Sequence, residues 1–69
     1  MAFSEGDKVE WDWGQGTAQG VVDTIFKRSV TRKIDGTRVT RNASTDNPAY
    51  YIKLADGVAL KSCSEIRKA

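Results

Sequence analysis

Basic side chains cluster in the middle of the chain, on both sides of an Asp35-Gly36 pair. Asp-Gly between two short alternating runs is a strong signal for a tight β-hairpin turn. A two-residue turn at this point would place Lys33 directly opposite Arg38, with Arg32 and Arg41 on the other face of the ribbon. Lysine and arginine neutralise phosphate groups, so the predicted ribbon is a candidate surface for nucleic acid.

The charge of this ribbon differs from that of the rest of the chain. Residues 27 to 42 hold six basic side chains and one acidic side chain, a net +5, whereas the whole chain has a net charge of +2. Like charges directly opposite each other destabilise a strand pair. The repulsion between Lys33 and Arg38 must therefore be offset by solvent and salt, by neighbouring acids or by an anionic partner. An edge strand that carries Lys and Arg to prevent aggregation is the competing interpretation.

The second face of the ribbon is partly apolar, since it carries Val30, Ile34 and Val39. A two-stranded ribbon is marginally stable alone, so this face must cover something. It could cover the chain's own barrel, or a second copy of the chain in a symmetric dimer. Protein interaction, including self-association, is therefore our leading functional hypothesis, and nucleic-acid binding is the alternative.

Aromatic rings offer a third kind of chemistry, because a ring face attracts cations. Three or four rings at one rim could form a cage for methylated lysine or arginine, which is the least favoured hypothesis. In a 69-residue chain the core is thin, so most rings are needed for packing. Alternation in the segment KVEWDW places Trp11 and Trp13 on one face and favours core packing for both. Tyr50 is expected to be buried, whereas Tyr51 is expected to point outward.

Contact candidates follow from these patterns. Tyr51 is the best single ring for contact with a partner, and Trp13 is the second because it lies beside a turn. Among the cations, the candidates are Arg32, Lys33, Arg38 and Arg41.

The chain has few of the side chains that catalysis and metal binding commonly use. The chain has no histidine and a single cysteine, Cys63, so neither the usual zinc ligand sets nor the commonest general base can be assembled. We therefore expect no enzymatic activity, no metal and no cofactor.

The first ten residues lack the apolar run of a secretory signal, and no stretch approaches the roughly 20 apolar residues of a membrane span. We expect a cytoplasmic protein with no membrane partner.

Short alternating segments separated by glycine-rich turns predict an all-β fold. The predicted strands are Lys8–Trp13, Thr17–Phe26, Val30–Ile34, Thr37–Arg41, Ala49–Leu54 and Val58–Lys61. Gly20 predicts a bulge or bend in the long second strand, and the Ser62 to Glu65 capping pattern predicts one helical turn. Residues 67 to 69 are expected to fray. Five or six strands in one domain over residues 1–69 favour a small SH3-like barrel with a protruding basic hairpin.

Three segments resemble the hypervirulence-associated protein Tudor-domain family. They are GDKVEWDWGQGTAQGVV, VTRKIDGTRVTRNASTDNPAYYI and ADGVALKSCSEI, and the resemblance covers about Glu5 to Lys68. Its most specific part is VTRNASTDNPAY, from Val39 to Tyr50. The resemblance implies a Tudor-like, SH3-like barrel and brings no catalytic residues. A fold of this kind does not fix the ligand.

Overall fold

The structure is a computed structural model that describes residues 3–69. Within these residues the strands are β1 (Lys8–Trp13), β2 (Gly16–Phe26), β3 (Val30–Ile34), β4 (Thr37–Arg41), β5 (Ala49–Leu54), β6 (Gly57–Ser62) and β7 (Arg67–Lys68). One 3-10 turn, Cys63–Glu65, connects β6 to β7. The predicted all-β class and the predicted helical turn are confirmed.

Five strands form one antiparallel sheet in the order β6-β5-β2-β1-β7, and β3 and β4 form a separate two-stranded sheet. The long strand β2 holds the larger sheet together. Its first half, Gly16 to Val21, pairs with β1, and its second half, Val21 to Phe26, pairs with β5. One strand therefore serves two neighbours in a bent sheet, as in the small SH3-like barrel predicted from the sequence.

Gly20 lies where β2 passes from one neighbour to the other. A Cβ atom at this position would lie 2.5 Å from Ile52 Cγ2 and 2.8 Å from the Lys53 carbonyl oxygen. The irregularity in the strand register falls slightly later, between Val22 and Thr24. Gly20 thus permits a close approach of β2 to β5, while the bulge itself lies at the following residues.

The core consists of two clusters on opposite faces of β5. The first contains Phe3, Val9, Trp11, Val22, Tyr50, Ile52, Cys63 and Ile66. Tyr50 is fully buried, and its hydroxyl oxygen accepts a hydrogen bond of 3.0 Å from the Phe3 amide. The second cluster contains Val30, Ala49 and Leu60, with Phe26, Ile34, Val39, Ala43 and Tyr51 packed around them. The β3–β4 hairpin therefore packs on the chain's own barrel.

The C-terminal residues do not fray, so that expectation is wrong. Arg67 and Lys68 form β7 and pair with Glu10 and Val9 of β1. The Arg67 guanidinium bridges two carboxylates of β1, at 2.8 Å from Glu10 Oε2 and 2.9 Å from Asp12 Oδ1. Two ion pairs and a short strand ladder fix this segment. Among residues 3–69, no helix is long and apolar enough to cross a membrane.

Candidate nucleic-acid interface

The β3–β4 hairpin has the register that the Asp35-Gly36 turn predicts. Asp35 and Gly36 have φ angles of 50° and 79°, and positive φ at both central residues is the signature of the type I′ turn that suits hairpins. The cross-strand pairs are Val30–Arg41, Thr31–Thr40, Arg32–Val39, Lys33–Arg38 and Ile34–Thr37. Each pair shares one face of the ribbon, so the hairpin has two unlike faces.

The inner face of the hairpin is held by the barrel. Val30 is buried, and Ile34 and Val39 are half-buried. All three pack around Ala49 and Leu60 of strands β5 and β6. The apolar side of the ribbon is therefore satisfied within one chain, and this settles which surface it covers.

The opposite side, which we call the outer face, carries Thr31, Lys33, Arg38 and Thr40, all exposed. The two threonine hydroxyl oxygens are 2.8 Å apart and hydrogen-bonded. Lys33 and Arg38 lie directly opposite each other. Within residues 3–69, neither cation has an ion pair or a side-chain hydrogen bond. The outer face therefore presents two adjacent, uncompensated positive charges to solvent.

The other two predicted cations are engaged by the chain itself. The Arg32 guanidinium carbon lies 4.8 Å from the centre of the Phe26 ring, and Arg32 Nη1 donates to the Thr31 carbonyl oxygen at 3.0 Å. Arg41 Nε donates to Glu65 Oε1 at 2.9 Å. The Phe26 ring attracts the Arg32 guanidinium and fixes its position, and the Glu65 carboxylate compensates the charge of Arg41. Of the four predicted cations, Lys33 and Arg38 are therefore the two that the described part of the chain leaves available to an external partner.

The sequence did not predict that the Glu65 carboxylate lies beside the β3–β4 hairpin. Burial opposes its ionisation and is the largest single influence, but the Ser62 amide and the Arg41 guanidinium together outweigh it. The pKa of Glu65 therefore lies below its ordinary value. The same carboxylate oxygen accepts a hydrogen bond of 2.8 Å from the Ser62 amide. Glu65 thus anchors the end of β4 to the 3-10 turn.

The two candidate rings have different positions. Tyr51 lies on the face of β5 opposite Tyr50, as the alternation predicts, but it is half-buried because the hairpin covers that face. The expectation that it points freely to solvent is corrected. Trp13 is 64% exposed, so the prediction that it packs in the core is wrong. It lies at the end of β1 opposite Gly16, where the partner strand supplies no side chain to pack against.

An aromatic cage is not assembled by these rings. Trp11 and Tyr50 are buried in the first core cluster, and Tyr51 belongs to the second. Trp13 is the one aromatic side chain of residues 3–69 with a largely exposed ring. A cage needs several rings that converge on one cation, and the described residues do not provide that arrangement.

Two further cations at the base of the hairpin were counted in the charge of the segment but not assigned to a site. Lys27 and Arg28 are exposed in the connection between β2 and β3. Within residues 3–69 they too have no ion pair. Their position in the sequence, just before β3, is the signal that could have assigned them to the hairpin site. Ser29 fixes this connection, since its hydroxyl donates to Asn42 Oδ1 at 3.2 Å.

The candidate site is a surface and not a cavity. Two solvent-open hollows have volumes of about 330 and about 470 Å³, and neither includes a hairpin residue. Across the described part of the chain, no three His, Cys, Asp or Glu side chains are grouped to hold a metal ion. The arrangement can therefore contact a partner through exposed cations and hydroxyls.

A comparison with family models places this architecture among known proteins. The model described as "Hypervirulence associated proteins TUDOR domain" matches residues 6–66 of the 69-residue chain. Comparisons with curated proteins and with solved structures gave no match. Small Tudor-like all-β domains are typically non-catalytic binding modules. The match spans all of the barrel strands except the short β7, and the chain therefore belongs to the hypervirulence-associated protein Tudor-domain family.

Proposed function

We propose that this domain is a small binding module whose outer hairpin face binds the phosphate backbone of nucleic acid. The observation that carries the proposal is the Lys33–Arg38 pair, which is directly opposed, exposed and, among residues 3–69, without an acidic side chain in ion-pair range. A phosphate backbone supplies negative charge at short intervals, so a bound strand offsets the repulsion between the two cations.

Protection of an edge strand explains this pair less well. Single charges along an edge suffice to discourage edge-to-edge pairing, whereas a directly opposed like-charge pair adds a cost to the hairpin itself. Among the described residues, the basic side chains with an ion pair are Arg41, Lys53 and Arg67. Other cations, such as Lys27, are also unpaired, but in the described strand pairs Lys33 and Arg38 are the two cations that lie directly opposite each other. This opposition supports an external anion as the partner.

Burial of the inner face also favours nucleic acid over a protein as the partner of the hairpin. The hypothesis of a protein partner rested on the family resemblance and on an apolar ribbon face that needed a surface to cover. Val30 and Val39 now have neighbours in Ala49 and Leu60. The side of the hairpin that faces solvent is polar and basic, and such a surface suits a polyanion.

Salt-dependent titration tests this proposal. The wild-type domain, the double variant Lys33→Gln/Arg38→Gln and the matched control Lys8→Gln/Lys68→Gln would each be titrated with 20-nucleotide DNA and RNA at two ionic strengths. Each phosphate contact contributes about −0.9 to the slope of log K against log salt for duplex DNA, and about −0.7 for a single strand. Removal of Lys33 and Arg38 should flatten the slope by roughly 1.4 to 1.8.

The control removes two exposed lysines from β1 and β7, which lie at the edge of the five-stranded sheet opposite to β6, the strand that the hairpin contacts. It should retain most of the wild-type slope, although it changes the net charge equally. Amide chemical shifts of the hairpin should move on addition of nucleic acid at low salt. Unchanged hairpin shifts at low salt would sink the proposal, and so would an equal loss of slope in the control.

A protein partner at Trp13 is the second candidate. At 64% exposure, Trp13 is the most exposed large apolar side chain of residues 3–69. Tryptophan is a frequent anchor of protein interfaces because it buries a large area. If this anchor serves self-association, light scattering should give a mass above that of the monomer at high concentration, and Trp13→Ala should return it to the monomer. A monomeric wild type at high concentration excludes the self-association form of this candidate.

A further inference from the structure

We infer that the outer hairpin face takes double-stranded DNA, held through both of its phosphate backbones, and does not take single strands by base stacking. This inference rests on the proposed function and names its substrate class. It follows from two features of the hairpin: where the aromatic rings lie, and how the free cations are spaced.

The aromatic rings near the hairpin are not available for stacking on bases. One face of the Phe26 ring is covered by the Arg32 guanidinium at 4.8 Å. Tyr51 is half-buried in the cluster beneath the hairpin. The outer face itself carries threonine, lysine and arginine and no ring. Proteins that bind single strands typically combine a basic groove with rings on which successive bases stack, and this face offers the charge without the rings.

The exposed Trp13 ring does not supply what the hairpin lacks. Trp13 ends β1 and lies at the start of β2, opposite Gly16. The hairpin follows the other end of the same strand β2, after Phe26. The 11 residues of β2 separate the two regions along the sheet. A base stacked on Trp13 would therefore belong to a different surface from the one that holds Lys33 and Arg38.

The free cations form two groups along the ribbon. Lys33 and Arg38 lie beside the turn, and Lys27 and Arg28 lie at the base, before Val30. Lys33 lies three residue steps beyond Val30, a rise of about 10 Å, and five steps beyond Arg28, so the two groups are separated by between about 10 and about 17 Å. The major groove of B-form DNA is about 12 Å wide. The two groups can therefore contact phosphates on the two borders of one major groove.

The threonine pair lies between the two groups of cations. Thr31 and Thr40 share one hydrogen bond of 2.8 Å between their hydroxyls, so one of the two O–H groups remains able to donate outward. Hydroxyls commonly donate to phosphate oxygens or to groove atoms in protein–DNA complexes. The Asp35 carboxylate in the turn repels phosphate, so the bound duplex should lie between the turn and the base of the hairpin.

Three probes of equal length test the inference by fluorescence anisotropy: a 20-base-pair DNA duplex, the same sequence as an RNA duplex, and a 20-nucleotide oligothymidine. We expect the DNA duplex to bind at least tenfold more tightly than oligothymidine. We also expect it to bind more tightly than the RNA duplex, because the major groove of A-form RNA is deep and narrow. Tryptophan emission should stay unchanged on binding of the duplex.

The variants Lys33→Gln/Arg38→Gln and Lys27→Gln/Arg28→Gln should each weaken the binding of the duplex and flatten its salt slope by about 1.8. All four side chains are exposed, and circular dichroism would verify that each variant is folded. If oligothymidine or the RNA duplex binds as tightly as the DNA duplex, the inference is overturned while the proposed function stands. An unchanged slope in the Lys27→Gln/Arg28→Gln variant also overturns it. If no probe binds at low salt, both the inference and the proposed function fail.

Discussion

Arg41 Nε donates to Glu65 Oε1 at 2.9 Å, and the same carboxylate oxygen accepts the Ser62 amide at 2.8 Å. One oxygen atom thus joins the last residue of β4 to the N-cap of the 3-10 turn. Arg41 and Glu65 are 24 residues apart in the chain. Their contact holds the hairpin against the barrel at its base, so Arg41 has a structural role and is not one of the free cations of the proposed binding surface.

Substitution of Glu65 should separate the two interactions of its carboxylate. Glu65→Gln loses the charge but keeps an acceptor for the Ser62 amide, so it should cost about 0.2–1 kcal/mol of unfolding free energy, similar to Arg41→Gln. Glu65→Ala also leaves the Ser62 amide without an acceptor and should cost about 1 kcal/mol more. Urea unfolding measures all three. Equal losses for Glu65→Gln and Glu65→Ala would show that the amide contact contributes nothing.

Acid should weaken the same connection. The folded-state pKa of Glu65 lies below its ordinary value, because the Ser62 amide and Arg41 outweigh the effect of burial. A depressed pKa contributes stability above the unfolded value, about 4.3, and this contribution is lost as the pH falls through the folded value. The urea midpoint of the wild type should therefore decrease below about pH 4.3, and that of Glu65→Gln should decrease less.

Asp12 should account for part of the remaining acid sensitivity. The hydrogen bond and the charge of Arg67 lower the pKa of its carboxyl. The pKa of Asp12 is lowered in the folded state, as that of Glu65 is, so its contribution to stability is also lost on acidification. The double variant Glu65→Gln/Asp12→Asn should be less sensitive to acid than Glu65→Gln alone. Identical acid profiles for the wild type and the double variant would contradict both assignments.

The two tryptophans of β1 should respond differently to truncation. Trp11 is 5% exposed in the core, whereas Trp13 is 64% exposed. Trp11→Ala should cost about 3–5 kcal/mol, because it removes buried area and leaves a cavity. Trp13→Ala should change the unfolding free energy by less than about 0.5 kcal/mol. Chemical denaturation followed by circular dichroism measures both, and a large loss for Trp13→Ala would show that its ring packs against the barrel.

Gly20 should not tolerate alanine. The added Cβ would lie 2.5 Å from Ile52 Cγ2 and 2.8 Å from the Lys53 carbonyl oxygen, so strand β5 would have to shift. Gly20→Ala should cost about 1–3 kcal/mol, as overpacking of a core does. Gly16→Ala is the matched control on the same strand, since a Cβ added there would have nothing within 4 Å. A thermal unfolding midpoint for Gly20→Ala equal to that of the control would contradict this close approach.

Local sequence signals predicted the strands and the hairpin register because they depend on neighbouring residues. Asp35-Gly36 specifies the turn, and the turn sets every cross-strand pair from Ile34–Thr37 back to Val30–Arg41. Alternation likewise placed Val9 and Trp11 in the core. These features need no knowledge of how the rest of the chain packs.

Two of the corrections concern contacts between distant segments, and the third concerns the end of a strand. Trp13 shares the core face of β1, but the core ends before it, and Gly16 opposite it offers no side chain for packing. Tyr51 has the predicted parity, yet the hairpin covers it. Arg67 is fixed by carboxylates more than 50 residues earlier in the chain. Of the candidate cations, sequence alone could not separate Arg41, whose partner Glu65 is remote, from Lys33.

The opposed pair on the outer face leads to a prediction that couples stability to binding. Lys33→Glu replaces repulsion with attraction across the ribbon, so it should stabilise the domain by roughly 0.2–1 kcal/mol at low salt. Salt screens exposed charges over about 10 Å at 0.1 M, so the gain should shrink as ionic strength rises. Urea unfolding at two salt concentrations measures both effects.

The same Lys33→Glu substitution should weaken nucleic-acid binding by more than removal of the charge alone does, because the new carboxylate repels phosphate. Lys8→Glu is the matched control: it makes the same charge change at an exposed position in β1, opposite Val21, where no cation lies across the strand. The control should show neither the gain in stability nor the large loss of binding. If Lys33→Glu lowers stability at low salt, the Lys33–Arg38 repulsion is already offset within the folded chain, and the need for an external anion disappears.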